Sequence, residues 1–204
     1  MSISITYYGH SCFAVSSADG TIVFDPYADH SVPGYQLPKG IRADEVSCSH
    51  GHGDHNAAEL IACSGKSVYE KHILLTDHDD AGGSLRGKNR IVIIEAEDRK
   101  IAHFGDLGRD LTEAEAMALA AADLIMIPVG GYYTIDMKQA DAIIQRIRPQ
   151  AVILMHYRRG DKGYDVLADI DVLSRSYPIV FAGRDTVSLE GLDESKYYVL
   201  EARQ

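Results

Sequence analysis

The stretch SHGHGDHNAAEL, residues 49–60, places three histidines and an aspartate within the six positions from His50 to His55. An ordinary loop seldom needs more than one such side chain. The spacing His50-x-His52-x-Asp54-His55 instead suits a turn whose imidazoles and carboxylate converge on a metal ion. Neutral imidazole and carboxylate are donors for Zn, Mn or Fe. Four residues cannot complete such a site, so the rest of the chain must supply further ligands.

Working outward, several β-prone runs end on a potential ligand. TIVF runs into Asp25, EVSCS into His50, ILLT into Asp77-His78, IAHFG into Asp106 and AVILM into His156. Strand ends gathered at one sheet edge let a rigid scaffold bring distant side chains together. Seven candidates, His50, His52, Asp54, His55, His78, Asp106 and His156, would fill two adjacent metal positions, with one aspartate able to bridge them. His72 competes with His78 but stands before ILLT, at the other end of that strand, and with His30 is read as a surface residue.

The remaining pattern fits a layered protein. SISITYY, SCFAVSS and GTIVFDP are short β runs, the last two joined by the turn SADG. ADEVSCSH reads as a buried strand and HNAAELIA as a short helix. KSVYE, ILLT, RIVIIEAE and KIAHFG are further strand candidates. LTEAEAMALAAA is helical, with Thr112 as N-cap and Glu113 and Glu115 at the positive helix end. ADLIMIPVGG is a buried strand. IDMKQADAIIQRIRP puts Ala140, Ile143, Ile144 and Ile147 on one helix face, closed by Pro149. AVILMHY, PIVFAG, DTVSLEG and KYYVLEA return to β structure. This alternation predicts an α/β or α+β layered sandwich, and 204 residues predict a single domain spanning 1–204.

Composition narrows the partners. Thirty acidic against twenty basic residues give a net charge of −10, which disfavours nucleic acid and anionic membrane because phosphate binding relies on Lys and Arg. No apolar run approaches a membrane span, and MSISITYYGH has neither the basic start nor the apolar stretch of a signal peptide. Cys12, Cys48 and Cys63 are scattered and odd in number, which fits reduced cytoplasmic thiols. The expectation is a cytoplasmic protein with a small-molecule substrate, no nucleic acid and no membrane, with a homo-oligomer left open.

The motifs HGHGDH at 50–55, HFGDL at 103–107 and LMHY at 154–157 resemble the metallo-β-lactamase superfamily. GHSCF at 9–13, IVFDP at 22–26 and IPVGGYYTID at 127–136 narrow the resemblance to the small stand-alone branch similar to L-ascorbate-6-phosphate lactonase. The matching motifs run in order from Gly9 to His156. The resemblance implies a four-layer αββα sandwich in which His50, His52 and His78 hold one metal. Asp54, His55 and His156 hold the other, and Asp106 bridges them. It implies two divalent ions, zinc by superfamily default and manganese or iron as alternatives, holding a bridging hydroxide. Asp54 and Asp106 would be catalytic, and Asp25 would support the histidine loop without binding metal. The implied reaction is hydrolysis of a small ester, lactone or phosphoester, an acidic sugar lactone among them. The alternatives are a nucleic-acid phosphodiesterase and a diiron redox protein of the same fold.

Other residues are assigned around this centre. His103 is read as packing or hydrogen-bonding near the site and is also a candidate substrate contact, and His10 is left open between a satisfied core histidine and a functional one. Tyr132 and Tyr133 are candidates to line the pocket. A negative chain needs local cations to receive an anion; Arg109, just past Asp106, and Arg158 and Arg159, just past His156, are best placed by sequence. DDAGGSLRGKN, at 79–89, reads as a hairpin.

Overall fold

A computed structural model of the chain describes residues 2–193 and 196–203. Its strands are, in chain order, β1 (Ser4–Gly9), β2 (Cys12–Ser16), β3 (Thr21–Phe24), β4 (Arg42–Ala43), β5 (Glu45–Ser47), β6 (Ala62–Cys63), β7 (Glu70–Asp77), β8 (Lys88–Ala96), β9 (Arg99–His103), β10 (Leu124–Pro128), β11 (Val152–Met155), β12 (Ile179–Phe181), β13 (Thr186–Ser188) and β14 (Tyr197–Val199). The helices are α1 (Glu113–Leu119), α2 (Met137–Ile147) and α3 (Ile170–Leu173).

Two sheets form the body. The smaller has the order β13-β1-β2-β3-β5 and the larger β12-β14-β11-β10-β9-β8-β7, while β4 and β6 form a separate pair. Side-chain alternation explains why the first strands are apolar on both faces. Ile5, Tyr7, Phe13, Val15, Ile22 and Phe24 point into the core shared with the larger sheet. Tyr8, Cys12, Ala14 and Val23 point the other way, under Val32, Leu37, Ile41 and Ile61. The layer over that outer face is therefore built from loops.

The larger sheet carries the helices. Its centre is parallel, β9 beside β10 and β10 beside β11, and LIMIP and VILM are buried throughout, as strands covered on both faces must be. α2 packs on β10 and buries Met137, Ala140, Ile143, Ile144 and Ile147, the face read from the sequence plus its first residue. Asp136 and Gln139 close its start as a capping box, and Arg148, left-handed at φ 50°, ends it. Thr112 and Glu115 cap α1 in the same way. The α/β layered sandwich is the observed architecture.

Three local expectations change. HNAAELIA yields only a 3-10 turn, Ala58–Leu60. The Ala57 amide donates instead to Pro26 O and the Ala62 amide to Ile41 O, which draws the chain out into β6. KSVYE is not a strand before Glu70, since the Val68 amide donates to the Glu45 carboxylate. α3, capped by Asp169, was not anticipated. Among the described residues, no helix is long and apolar enough to cross a membrane.

Candidate metal centre

The strand ends deliver their ligands to one place. β3 and β5 run parallel, so Asp25, just past β3, lies beside the turn after β5. The buried Asp25 carboxylate accepts hydrogen bonds from the Ser49 amide at 2.6 Å, the Ser49 hydroxyl at 2.6 Å and His55 Nδ1 at 2.8 Å. With its proton directed at Asp25, Ser49 Oγ is free to accept from His50 Nδ1, 2.9 Å away. Both histidines are thereby fixed with Nδ1 turned outward to its partner and Nε2 facing the centre, the orientation in which imidazole binds metal.

Asp106 is held with equal care. Its amide donates to Asn89 Oδ1 at 2.9 Å, and Asn89 Nδ2 donates to Thr76 Oγ1 and to Phe104 O, tying the loop after β9 to β7 and β8. Gly105 must be glycine: φ is +53°, and a Cβ would lie 2.3 Å from Asn89 Oδ1 and 2.4 Å from Ser49 Cβ. Asp106 Oδ2 then stands 3.2 Å from His78 Nε2, 3.3 Å from both His55 Nε2 and His156 Nε2, and 3.9 Å from His50 Nε2.

His10, left open by the sequence, joins the centre. It occupies the β1–β2 turn with φ 54°, and its carbonyl accepts the His156 amide at 3.0 Å. Its Nε2 lies 3.4 Å from Asp54 Oδ2, and its ring is 4.2 Å from that of His156. Asp25 and His156 share the left-handed backbone, at φ 45° and 54°.

Three sets of side chains are close enough to hold an ion: His10, Asp54, His55 and His156; His50, His52 and His78; and His50, His55 and Asp106. The chemistry of the set fits a metal. Both ring nitrogens of His10 and of His156, Nε2 of His50 and of His55, Nδ1 of His78 and Oδ1 of Asp106 are buried with no hydrogen-bond partner among the described residues, a condition that an apolar interior does not tolerate without compensation. Burial pushes His50 down to about 4, aided by His55, and His10 down to about 4, aided by His156. Both rings are therefore neutral, with lone pairs available at physiological pH. Burial raises Asp106, but His156 and His55 outweigh it and hold the carboxylate well below its ordinary value.

A cavity of about 270 Å³ opens onto this cluster, lined by His52, Asp54, His78, Arg86, Asp106, Tyr133, His156 and Tyr164. The Tyr164 hydroxyl donates to Ser31 O at 2.6 Å and lies 3.2 Å from Asp54 Oδ2.

The structure brings together all seven candidate ligands and Tyr133. It separates the other assigned contacts. His103 is buried, its Nε2 2.9 Å from Ser11 O and its ring stacked on Phe24, so it cannot touch a ligand in the cavity. Arg109 is claimed by Asp77 at 2.7 Å and Glu115 at 2.8 Å, Arg158 by Asp169 at 2.8 Å, and Arg159 by Glu201 at 2.8 Å. None of these arginines lines the cavity. Tyr132 is 63% exposed and packs edge-on against Tyr133 outside the lining. His72 lies exposed in β7, away from the cluster. Arg86 and Tyr164 were not anticipated: neither SLRG, within the stretch read as a hairpin, nor KGYD carries a local signal of what it will face.

The sequence model of the beta-lactamase superfamily domain matches residues 4–156. The chain belongs to the metallo-β-lactamase superfamily. Among its superfamily relatives, a UPF0173 metal-dependent hydrolase of Staphylothermus marinus is 29% identical over 188 residues, covering 75% of this chain and 82% of that one. The UPF0173 metal-dependent hydrolase YtkL of Bacillus subtilis is 24% identical, covering 76% and 86%. A superfamily structure from Thermotoga maritima, proposed to be a Zn-dependent hydrolase, superposes with a TM-score of 0.73 at 29% identity over 98% of this chain and 100% of its own. Igni18, a metallo hydrolase of Ignicoccus hospitalis, shares the fold, with a TM-score of 0.66 at 18% identity over 100% and 97%. With these relatives and its His/Asp cluster, the chain is a metal-dependent hydrolase of the superfamily.

Proposed function

We propose that the cluster holds two divalent ions and hydrolyses a small ester, lactone or phosphoester, with an acidic sugar lactone the substrate that the motif resemblance favours. The observation that carries this is the position of Asp106. One carboxylate oxygen lies within 3.2–3.3 Å of His78 on one side and of His55 and His156 on the other, where a bridging ligand must stand. His50, His52 and His78 would hold one ion, Asp54, His55 and His156 the other, and Asp106 would be shared by both. Zinc suits the donors and is named for the Thermotoga relative; manganese and iron suit them as well.

Bound there, such ions supply Lewis acidity toward a carbonyl or phosphoryl oxygen and acidify a water toward neutral pH. The protein's own part begins with Asp54. Burial raises its carboxyl, but His10 and His55 outweigh this and hold it below the ordinary range. It therefore stays ionised, with Oδ2 able to accept a hydrogen bond from the attacking water and fix its direction. Tyr164, beside Asp54, and Tyr133 confine the substrate against the histidines. Asp25, through Ser49 and His55, keeps two rings in the binding tautomer. The modest cavity and the net charge of −10 support a metabolite over a nucleic acid as substrate.

Metal content of purified protein, with Asp106→Ala beside it, is the direct test, followed by turnover on esters, lactones, phosphate esters and single-stranded RNA. Two ions per chain, reduced in the variant, with small-molecule turnover is the expected result. RNA cleavage alone, or full metal content in Asp106→Ala, would overturn the proposal.

A further inference from the structure

Among the described residues, Arg86 is the one lysine or arginine lining the cavity. Among the described residues no carboxylate forms an ion pair with it, whereas Arg109, Arg158 and Arg159 are each neutralised by one or two. Its guanidinium carbon lies 5.0 Å from the centre of the Tyr133 ring and 5.7 Å from that of Tyr132. Two aromatic faces thus orient the fork and leave its N–H groups unclaimed.

The turn that carries Arg86 is built to hold it. Asp79, only 4% exposed, accepts the amides of Ala81 and Gly83 at 2.9 Å and those of Leu85 and Arg86 at 3.1 and 2.7 Å. These bonds hold Asp79 below the ordinary carboxylate range despite its burial, and they fix the Arg86 backbone one residue pair away from β8. The same loop begins at His78, so the cation and the metal cluster are anchored on one short segment.

We propose that Arg86 recognises an anionic group on the substrate, a carboxylate or phosphate remote from the bond that is cleaved, and so restricts this site to acidic small molecules. An unpaired, aromatic-backed guanidinium facing a cavity is suited to bidentate contact with such a group. The inference deepens the hydrolase proposal above and rests on it only for the word substrate, since recognition of the anion is measurable without turnover.

The test is calorimetric titration of purified, zinc-supplemented protein with succinate and with butyrate. Each offers one carboxylate to the metal cluster, and succinate alone offers a second to Arg86. A charged hydrogen bond is worth about tenfold or more in affinity. Wild type should therefore bind succinate at least about tenfold more tightly than butyrate. Arg86→Gln, at a partly exposed turn position, should bring the two within about twofold while leaving butyrate unchanged, and Arg86→Lys should fall between. A third arm with 3-phosphonopropanoate separates the sources: preference over succinate assigns the group to phosphate. Equal binding of succinate and butyrate by wild type, no binding of either, or unchanged selectivity in Arg86→Gln overturns the inference. Arg86-dependent succinate binding in a protein that hydrolyses no ester, lactone or phosphoester would instead overturn the hydrolase proposal and leave this one standing.

Discussion

Replacing Asp25 by Asn removes a charge without changing shape, and its consequence follows from three hydrogen bonds. Asp25 accepts from the Ser49 amide, the Ser49 hydroxyl and His55 Nδ1. An asparagine carbonyl can keep the amide, but the NH2 group must then face the other two. His55 Nδ1 becomes an acceptor, so its proton moves to Nε2, 3.3 Å from Asp106 Oδ2, where a metal needs a lone pair. Ser49 Oγ, deprived of its acceptor, turns its proton to His50 Nδ1 and blocks a second ligand in the same way. The opposite amide orientation sets the NH2 against the Ser49 N–H and offers no escape. Loss of such an orienting partner costs about 10–100-fold in metal affinity, or about 1.4–2.7 kcal/mol. Chelator-competition titration with zinc should show at least a tenfold weaker dissociation constant for Asp25→Asn, with an unchanged circular dichroism spectrum. An affinity within threefold of wild type would refute the assignment of the tautomers and with it the role of Asp25.

Further outcomes follow from the same geometry. His78→Ala should lower zinc affinity at least about tenfold, whereas His72→Ala, exposed in β7, should leave metal content as in wild type; mass-spectrometric metal analysis separates the two. Gly130→Ala would put a Cβ 2.1 Å from His156 O, backbone against backbone. It should lower stability by about 1–3 kcal/mol in chemical denaturation and weaken metal binding together. Arg109→Gln should cost about 1 kcal/mol at neutral pH once solvent screening of this partly exposed cluster is allowed for. Arg109 holds Glu115 below its ordinary 4.5, and Lys88 and then Arg109 hold Asp77 below its own. The stabilisation is therefore complete above about pH 4.5 and disappears as the pH falls through the lowered values. The difference in Tm between wild type and Arg109→Gln should narrow over that window; a difference constant from pH 7 to 3 would refute the linkage.

What the sequence disclosed follows from how locally each feature is determined. His50, His52, Asp54 and His55 share one turn, so their convergence is visible in the spacing itself. His156 was legible because β11, VILM, is an uninterrupted apolar run whose end is unambiguous, and Asp106 because it follows the IAHFG stretch that closes and leaves β9. His10 was not resolved, because no neighbour in GHSCF tells what its ring will face; among the described residues it lies beside Asp54 and His156 with neither ring nitrogen hydrogen-bonded, and that is a property of the assembled interior. The arginines failed for the converse reason. Adjacency to a ligand in the chain says nothing of which carboxylate in space will claim the charge, and Asp77, Glu115, Asp169 and Glu201 claimed all three. Arg86 came to light only through the fold of its turn around Asp79.

His10, Asp25 and His156 all turn left-handed as they leave or link their strands, and this bears on how the centre is to be dissected. Asn, Asp and His tolerate that conformation several-fold better than most residues, and alanine does not share the tolerance. An alanine scan would therefore remove a side chain and strain the main chain in one step, and would assign to chemistry a loss that belongs partly to conformation. Asparagine at 10 and 156 keeps the backbone preference while removing the ring. The gap between the asparagine and alanine variants at each position would then measure the conformational share by itself.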